Sequence, residues 1–175
     1  MKKEDKGSVP FKIIYKEIFP VILRVAYHIT GDMDVSEEFC QEALLRYHKR
    51  PDAIEDVNQI KFWLIRVVKN LSLNYVKRRG REKKALERYA NDTGQNNTTG
   101  EIEALKDESA RQVRSALRLL PSSLGTVLIL KEYAGLNYNE IAKVMRISEG
   151  NVKVRVYRAR KQLKQLLERE DPYVP

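Results

Sequence analysis

The residues whose types and spacing best suit chemistry are cations grouped near the carboxyl end of the chain. Between Lys143 and Lys164 there are eight Lys or Arg residues and one acid, Glu149, which gives a net charge of +7. Guanidinium and ammonium groups bind phosphate oxygens, and Arg and Asn also bond base edges in the DNA major groove. The segment therefore predicts contact with duplex DNA. The alternative is a basic helix that forms a solvated surface without such a partner.

Two predicted helices joined by a short turn position these cations. Asn137, with Glu140 three residues later, matches a capping box that opens the first helix, and Ser148 caps a second, longer helix. One face of the second helix is apolar and is expected to pack inward; it carries Val152, Val156, Ala159 and Leu163. The pattern is typical of a helix-turn-helix whose second helix enters the major groove.

A further helix, predicted over residues 60–79, has two chemically different sides. The apolar side carries Leu64, Val68, Leu71 and Tyr75, and the other side carries Trp63, Arg66, Asn70, Asn74 and Lys77. Cations bind phosphate, amides bond base edges, and an indole stacks on an unpaired base, worth roughly 1–3 kcal/mol per base. The alternative is a solvated face with Trp63 partly covered by a neighbouring helix. Residues 61–88 hold ten bases and two acids, so the chain has a second basic unit.

The remaining chain is predicted to be helical, without a strand pattern. Apolar spacings of three and four residues predict helices over 9–30, 35–50, 102–120 and 124–133. Gly31 is expected to close the first and Asp34 to cap the second, which ends before Pro51. Residues 51–59 are predicted to form a loop.

A polar stretch divides the chain into two parts. Residues 91–100 contain no apolar side chain, and ordering them would cost roughly 1–2 kcal/mol per residue without burial to offset it. The sequence therefore predicts an all-α fold class with two small helical domains, 1–90 and 105–170, joined by a flexible linker over 91–104.

The composition excludes several classes of protein. The chain has 175 residues and a formal charge of +9, which favours a polyanionic partner. It has neither a long apolar run nor an apolar segment in its first residues, so we expect no stable membrane insertion and a cytoplasmic location. With one cysteine, Cys40, and two histidines, His28 and His48, we expect no disulfide and no metal site. We also expect no catalytic residue, no cofactor and no enzyme activity, since no glycine-rich phosphate loop or nucleophile pattern occurs.

One segment of this basic chain is acidic. Between Asp32 and Asp56 there are eight acids and three bases. An acidic helix face is usually solvated, but it could equally be the footprint of a basic protein partner.

Together these segments resemble a bacterial sigma factor of the extracytoplasmic-function (ECF) group, the minimal members of the sigma-70 family. The family's helix that docks on the RNA polymerase clamp resembles SEEFCQEALLR, and its helix that reads the melted downstream promoter element resembles KFWLIRVVKNLSLNYVKRR. Its helix-turn-helix domain, which reads the upstream element, resembles LRLLPSSLGTVLILKEYAGLNYNEIAKVMRISEGNVKVRVYRARKQL. The resemblance implies a region 2-like helical domain followed by a region 4-like domain.

The resemblance also implies roles for individual residues. The polymerase-binding positions are Glu38, Gln41, Glu42 and Arg46. A loop that accepts a flipped base would comprise Asp56, Val57, Asn58 and Gln59, and the downstream-element face would add Lys61, Trp63, Arg66, Asn70, Asn74 and Lys77. The upstream-element positions are Asn151, Lys153, Val154, Arg155, Arg158 and Lys161.

The partners implied are core RNA polymerase and promoter DNA, both as duplex and as melted single strand. Family members are commonly held inactive by an anti-sigma factor, so the resemblance implies such a partner as well. Several positions depart from the family's usual pattern. Among them Arg146 stands where glycine is common, Asn151 where threonine is common, and Val154 where a small polar residue is common.

Two other functions remain as alternatives. A conventional helix-turn-helix repressor or activator would bind a palindromic operator without polymerase. An interaction module would sequester an acidic protein and would not contact DNA.

Overall fold

The structure, a computed structural model, describes residues 9–50, 54–89 and 108–170. In this part of the chain all the regular structure is helical, which confirms the predicted fold class. The helices are α1 (Phe11–Ile13), α2 (Phe19–Thr30), α3 (Met33–His48), α4 (Val57–Tyr89), α5 (Glu108–Leu119), α6 (Ser122–Glu132), α7 (Tyr138–Met145) and α8 (Glu149–Glu170). The predicted linker at 91–104 lies outside the described residues.

The first helical segment contains a π-helical turn, Ile14–Ile18, between α1 and α2. Pro20 stands at the start of α2 and has no backbone N–H to give to the preceding turn. The Phe19 N–H, one residue earlier, reaches back five residues to the Ile14 carbonyl, which is the π-helical bond. Gly31 ends α2 as predicted, and it does so in the left-handed conformation, at φ 74°.

The cap of α3 differs from the prediction. Asp32, not Asp34, is the N-cap, and its side chain accepts a hydrogen bond of 3.2 Å from the Val35 N–H. Asp34 lies in the first turn, where its charge still favours the helix dipole. Thr30 and Ser36 complete the turn through a 2.8 Å bond between their hydroxyls.

Helix α4 is longer at both ends than the predicted 60–79. Residues 57–59, predicted to be loop, form its first turn, because the Asp56 carboxylate accepts the Gln59 N–H at 2.7 Å and so caps the helix. At the other end the helix continues through Gly80, which costs only about 1 kcal/mol in a helix interior. The residues after Gly80 are mostly strong helix formers, and Arg78 and Glu82 pair across one turn at 3.7 Å.

The predicted helix-turn-helix is confirmed. Asn137 and Glu140 form both bonds of the capping box, at 2.9 and 2.8 Å, and the Ser148 hydroxyl accepts the Asn151 N–H at 3.2 Å. Val152, Val156 and Ala159 are fully buried on α8.

The two helical domains pack against each other, which the sequence did not indicate. Helix α2 lies against α5 and α6, and α4 lies against α7. The buried apolar side chains of the described residues therefore form one continuous cluster. We call the α2–α5–α6 and α4–α7 contacts together the interdomain contact.

Cys40 lies in the core of the first domain and is fully buried. Burial, with a smaller effect from Glu37, raises the pKa of its thiol to about 12. Because the thiolate is the reactive form, Cys40 is inert in the folded protein, as expected of a core residue.

Candidate nucleic-acid interface

The recognition face of α8 points to solvent. We use this name for the six predicted upstream-element residues, of which five are exposed and Arg155 is half-buried. Asn151, Val154, Arg158 and Lys161 repeat at intervals of three and four residues, so they form a stripe along the helix. The stripe lies away from Val152, Val156 and Ala159, the side chains that hold α8 in the core.

Local contacts organise the amino-terminal part of this face. The Arg155 Nε donates to the Asn151 Oδ1 at 2.8 Å, which holds the guanidinium beside the amide. Lys153 Nζ and Glu149 Oε1 pair at 2.9 Å, and this hydrogen bond and charge lower the pKa of Glu149. Asn and Arg side by side match the donor and acceptor pattern of base edges in the major groove.

Tyr157 belongs to the same exposed surface, although the predicted set omits it. Its side chain is 70% exposed, and Val154 beside it is 47% exposed. The sequence signal was available: Tyr157 lies three residues after Val154, on the same side of the helix. An exposed aromatic ring in a basic face offers a surface for stacking or for contact with thymine methyl groups.

The turn before α8 keeps a left-handed residue without glycine. Arg146 has φ 56° and ψ 49°, and its N–H bonds the Ala142 carbonyl to end α7. Arg146 therefore takes the left-handed conformation that ends α7, although it is not a glycine. That conformation costs roughly 1–2 kcal/mol for an L-residue.

We expect Arg146→Gly to stabilise the protein by about 0.5–1 kcal/mol. Relief of the left-handed strain exceeds the larger entropy of glycine in the unfolded chain. Urea unfolding would measure the change. Gly135→Ala is the matched control: Gly135 also has a positive φ, 66°, with open space around its Cβ position, so this variant should lose stability. A less stable Arg146→Gly protein would contradict the argument.

The strand-reading face of α4, which comprises Lys61, Trp63, Arg66, Asn70, Asn74 and Lys77, is only partly exposed. Asn70, Asn74 and Lys77 are open to solvent. Asn74 and Lys77 also line a shallow cleft of about 400 Å³ with Arg81. A cleft with an amide and two cations suits a phosphate and its attached base.

Trp63 is half-buried between two side chains from the end of the preceding segment. Its ring centroid lies 6.1 Å from that of Tyr47, and the Arg50 guanidinium lies 5.0 Å above the ring. The Arg50 Nε is buried and has no hydrogen-bond partner among the described residues. One indole face is therefore occupied by a cation–π contact in the free protein.

Arg66 contacts the second domain. Its Nη2 donates a 2.9 Å hydrogen bond to the carbonyl of Lys143, in the last turn of α7. Lys69, which the prediction omitted, lies beside it with only 8% of its surface exposed, and its Nζ is 3.5 Å from the Val144 carbonyl. Burial first, then Arg66 and Arg146, lower the pKa of Lys69. The spacing in the sequence could have indicated this burial. Lys69 lies four residues after Ile65 and three before Ser72, on the same side of the helix, and both of those side chains are buried.

The predicted base-accepting residues stand at the start of α4. Asp56, Asn58 and Gln59 are exposed, and Val57 is half-buried. Asp56 already uses a carboxylate oxygen to cap the helix, so a base would contact the remaining amide groups and the Val57 side chain.

The docking face of α3 comprises Glu38, Gln41, Glu42 and Arg46. Glu38, Gln41 and Arg46 are exposed, and Arg46 pairs with Glu42 at 2.6 Å. Leu45, which is 53% exposed, lies among them and was not predicted. The acidic side chains on this face would complement a basic protein partner.

His28 and Tyr133 join the domains at the other edge of the interdomain contact. Their rings stack with centroids 3.5 Å apart. Burial first, then the charges of Arg114, Arg118 and Arg24, lower the pKa of His28 from 6.5 to about 4. The contact therefore favours neutral His28.

Acid should weaken the fold through His28. Above about pH 6.5 His28 is neutral whether folded or unfolded, whereas between 6.5 and 4 only the unfolded chain takes up the proton, so stability falls as pH falls. We expect a loss of about 1 kcal/mol between pH 7 and pH 5, allowing for the partial exposure of the site. Urea unfolding at both pH values would show it. A His28→Gln variant should lose less, and an equal loss in both proteins would contradict the assignment.

Comparison with known proteins identifies the family to which the chain belongs. The model of sigma-70 region 2 matches residues 14–82, and that of sigma-70 region 4 matches residues 110–163. The ECF RNA polymerase sigma factor EcfG of Rhodopseudomonas palustris is 30% identical over 149 residues, which are 85% of this chain and 80% of that protein. The chain belongs to the ECF group of the sigma-70 family. Sigma factors are in general regulatory, non-enzymatic proteins, and this one serves in promoter-directed transcription with core RNA polymerase and promoter DNA.

Other relatives agree along almost the whole chain. The RNA polymerase sigma-H factor of Pseudomonas aeruginosa is 28% identical over 176 residues, 96% of this sigma factor and 90% of the relative. The sigma factor RpoE of Bartonella quintana, solved with the anti-sigma factor NepR, has the same fold, with a TM-score of 0.68 at 23% identity. That likeness covers 90% of this chain and 96% of the other.

Two further findings, on membrane-spanning helices and on metal ligands, concern only the described residues, 9–50, 54–89 and 108–170. None of the helices there is both long and apolar enough to span a bilayer. Nor do three or more His, Cys, Asp or Glu side chains come together there as metal ligands would.

Proposed function

We propose that this sigma factor reads its promoter with two separate surfaces. The recognition face of α8 binds the upstream element as duplex, and the strand-reading face of α4 binds the downstream element after it melts. The observation that carries the proposal is the exposed stripe of α8, presented by a helix-turn-helix whose two caps both form. Phosphate contacts from Lys161 and Lys153 would hold the helix while Arg158 and Asn151 bond base edges.

Melting follows from what single-stranded DNA gains on α4. Unpaired bases can stack on Trp63 and bond Asn70 and Asn74, whereas duplex DNA offers them no such contact. The residues at the start of α4, from Asp56 to Gln59, would receive a base turned out of the helix, at a cost of a few kcal/mol in unstacking. The chain makes and breaks no covalent bond in this step.

Polymerase binding is assigned to α3. Glu38 and Glu42 supply charge for a basic partner, Leu45 supplies apolar area, and Gln41 supplies an amide donor and acceptor. We place the protein in the cytoplasm, where the polymerase works. By analogy with RpoE of Bartonella quintana, solved with NepR, we also infer that an anti-sigma factor controls it.

Run-off transcription tests the proposed function. Purified protein is added to core RNA polymerase with a library of fragments from its own genome, and core enzyme alone is the control. Defined transcripts that require the added protein would support the proposal, and a library without any such transcript would reject it. Gel shifts without polymerase distinguish the proposed function from the repressor alternative, because a repressor would bind a palindromic site tightly on its own.

A further inference from the structure

The indole of Trp63 lies in a notch between the end of α3 and the first turns of α4. The Arg50 guanidinium lies over one face of the ring, 5.0 Å from its centroid, and the Tyr47 ring centroid lies 6.1 Å away, tilted by 56°. Tyr47 belongs to the last turn of α3, and Arg50 follows the residue that caps that helix. Arg50 therefore touches the largest stacking surface of the strand-reading face without belonging to that face.

The Arg50 side chain is satisfied only in part. Its cation–π contact with the indole is favourable, but its Nε is buried and donates no hydrogen bond to any of the described residues. Burial of an N–H group without an acceptor is unfavourable, so an unpaired one in a folded protein calls for an explanation. A phosphate or a base acceptor that arrived at the notch would supply the missing bond.

Both planes of this pair can stack on an unpaired base. Proteins stack splayed-out bases on aromatic rings and on guanidinium planes, and arginine also donates to phosphate. Neighbouring bases along one strand lie about 3.4 Å apart, so a base between the two planes needs about twice that separation. The guanidinium, now 5.0 Å from the ring centroid, would reach it by a retreat of about 2 Å. Because the Arg50 Nε has no hydrogen bond to lose, this movement gives up only the cation–π contact, which the base replaces.

We propose that Arg50 and Trp63 form a clamp for one unpaired base of the melted promoter strand. The base enters between the indole and the guanidinium, and the N–H donors of Arg50 turn to the phosphate of that strand. A purine is held more tightly than a pyrimidine, because its two fused rings cover more of both planes. The clamp rests on the proposed function, since it acts only if α4 binds the melted strand. Arg50 is then a further DNA-binding residue, and it sets a preference for a purine at one position of the downstream element.

The contact itself can be tested without DNA, because Trp63 is the only tryptophan in the sequence. Arg50→Ala uncovers one face of the indole, so acrylamide should quench the fluorescence of the free protein more efficiently than in the parent. Lys49→Ala is the matched control, since Lys49 is the neighbouring cation and is exposed, and its quenching should equal that of the parent. Equal quenching in Arg50→Ala and the parent would overturn the contact between Arg50 and Trp63.

The clamp is tested with holoenzyme and a labelled promoter fragment, chosen from the run-off transcripts, whose downstream element is left single-stranded on each strand in turn. Fluorescence anisotropy measures the affinity. We expect Arg50→Ala to bind the fragment about tenfold more weakly than the parent. Arg50→Lys keeps the charge but not the plane and should lose about threefold, whereas Lys49→Ala should stay within about twofold of the parent.

Two further comparisons assign the loss to stacking on one base. In a Trp63→Ala background, Arg50→Ala should cause no more than about a twofold further loss, because the clamp has already lost its other side. Bases of the single-stranded element are also replaced one at a time by an abasic site. At one position the difference between Arg50→Ala and the parent should disappear, and at that position the parent should bind a purine more tightly than a pyrimidine.

Three results would overturn the clamp. Unchanged binding by Arg50→Ala would show that no base touches the guanidinium, and tighter binding would show that Arg50 only covers the indole. An equal loss in Lys49→Ala would reduce the effect to general charge. Failure of the proposed function is a separate result. If Trp63→Ala binds the fragment as well as the parent does, the strand does not stack on α4 at all, whereas a loss in Trp63→Ala without a loss in Arg50→Ala rejects the clamp alone.

Discussion

Replacing Arg155 and Arg158 together by alanine is expected to weaken holoenzyme binding to duplex upstream-element DNA by roughly a thousandfold. Each bidentate contact between Arg and a base or phosphate is worth about 2 kcal/mol, and the two side chains lie one helical turn apart on the recognition face of α8. Fluorescence anisotropy with a labelled duplex at fixed salt would measure the loss. The fold should survive, since both residues are at least partly solvent-exposed and Val152, Val156 and Ala159 still hold the helix.

Arg160→Ala is the matched control for this pair. Arg160 lies on the same helix but points away from the recognition face, where it bonds Glu132 of α6 at 3.0 Å. Loss of one exposed ion pair costs at most about 1 kcal/mol of stability and removes no DNA contact. If Arg160→Ala weakened DNA binding as much as the double variant, the effect would be one of general charge, and the recognition face would be misassigned.

Trp63→Ala is expected to reduce formation of the melted promoter complex by about tenfold to a hundredfold while upstream duplex binding stays unchanged. The indole is the largest stacking surface on the strand-reading face, and stacking one base is worth roughly 1–3 kcal/mol. Permanganate reactivity of unpaired thymines in a promoter bound by holoenzyme would report the change.

A Trp63→Tyr protein separates stacking from folding. Tyrosine keeps an aromatic face and the contact with Tyr47, so it should retain most of the melting. Urea unfolding of both variants would show how much stability the smaller side chain loses. Equal melting by Trp63→Ala and the parent would show that Trp63 does not stack on the promoter strand.

The features that the sequence predicted well are those set by neighbouring residues. Capping by Asn137 and Ser148 and the buried stripe of α8 depend on spacings of three and four, so the local pattern determines them. The predicted boundaries failed where a second local signal outweighed the first. Asp56 caps α4 within the predicted loop, and the strong helix formers after Gly80 outweigh the cost of that glycine.

The interdomain contact could not be predicted from local pattern. Arg66 and Lys143 are separated by 77 residues, and nothing near either of them in the chain indicates that a carbonyl will meet a guanidinium. Lys69 was the available clue, because a lysine at a buried helical position needs a partner. The residue pattern suggested DNA-binding roles but left a solvated surface as an equal alternative, and the family resemblance decided between the two.

The most direct test of the central claim places 2-aminopurine, a base whose fluorescence rises when it unstacks, in the downstream element of a promoter on which the holoenzyme initiates, on the strand opposite the one that would stack on Trp63. If α4 holds the bases of the melted strand, fluorescence should rise when the parent holoenzyme binds and should stay low with Trp63→Ala. Transcripts starting from that promoter without any rise, or an equal rise with both proteins, would contradict the account.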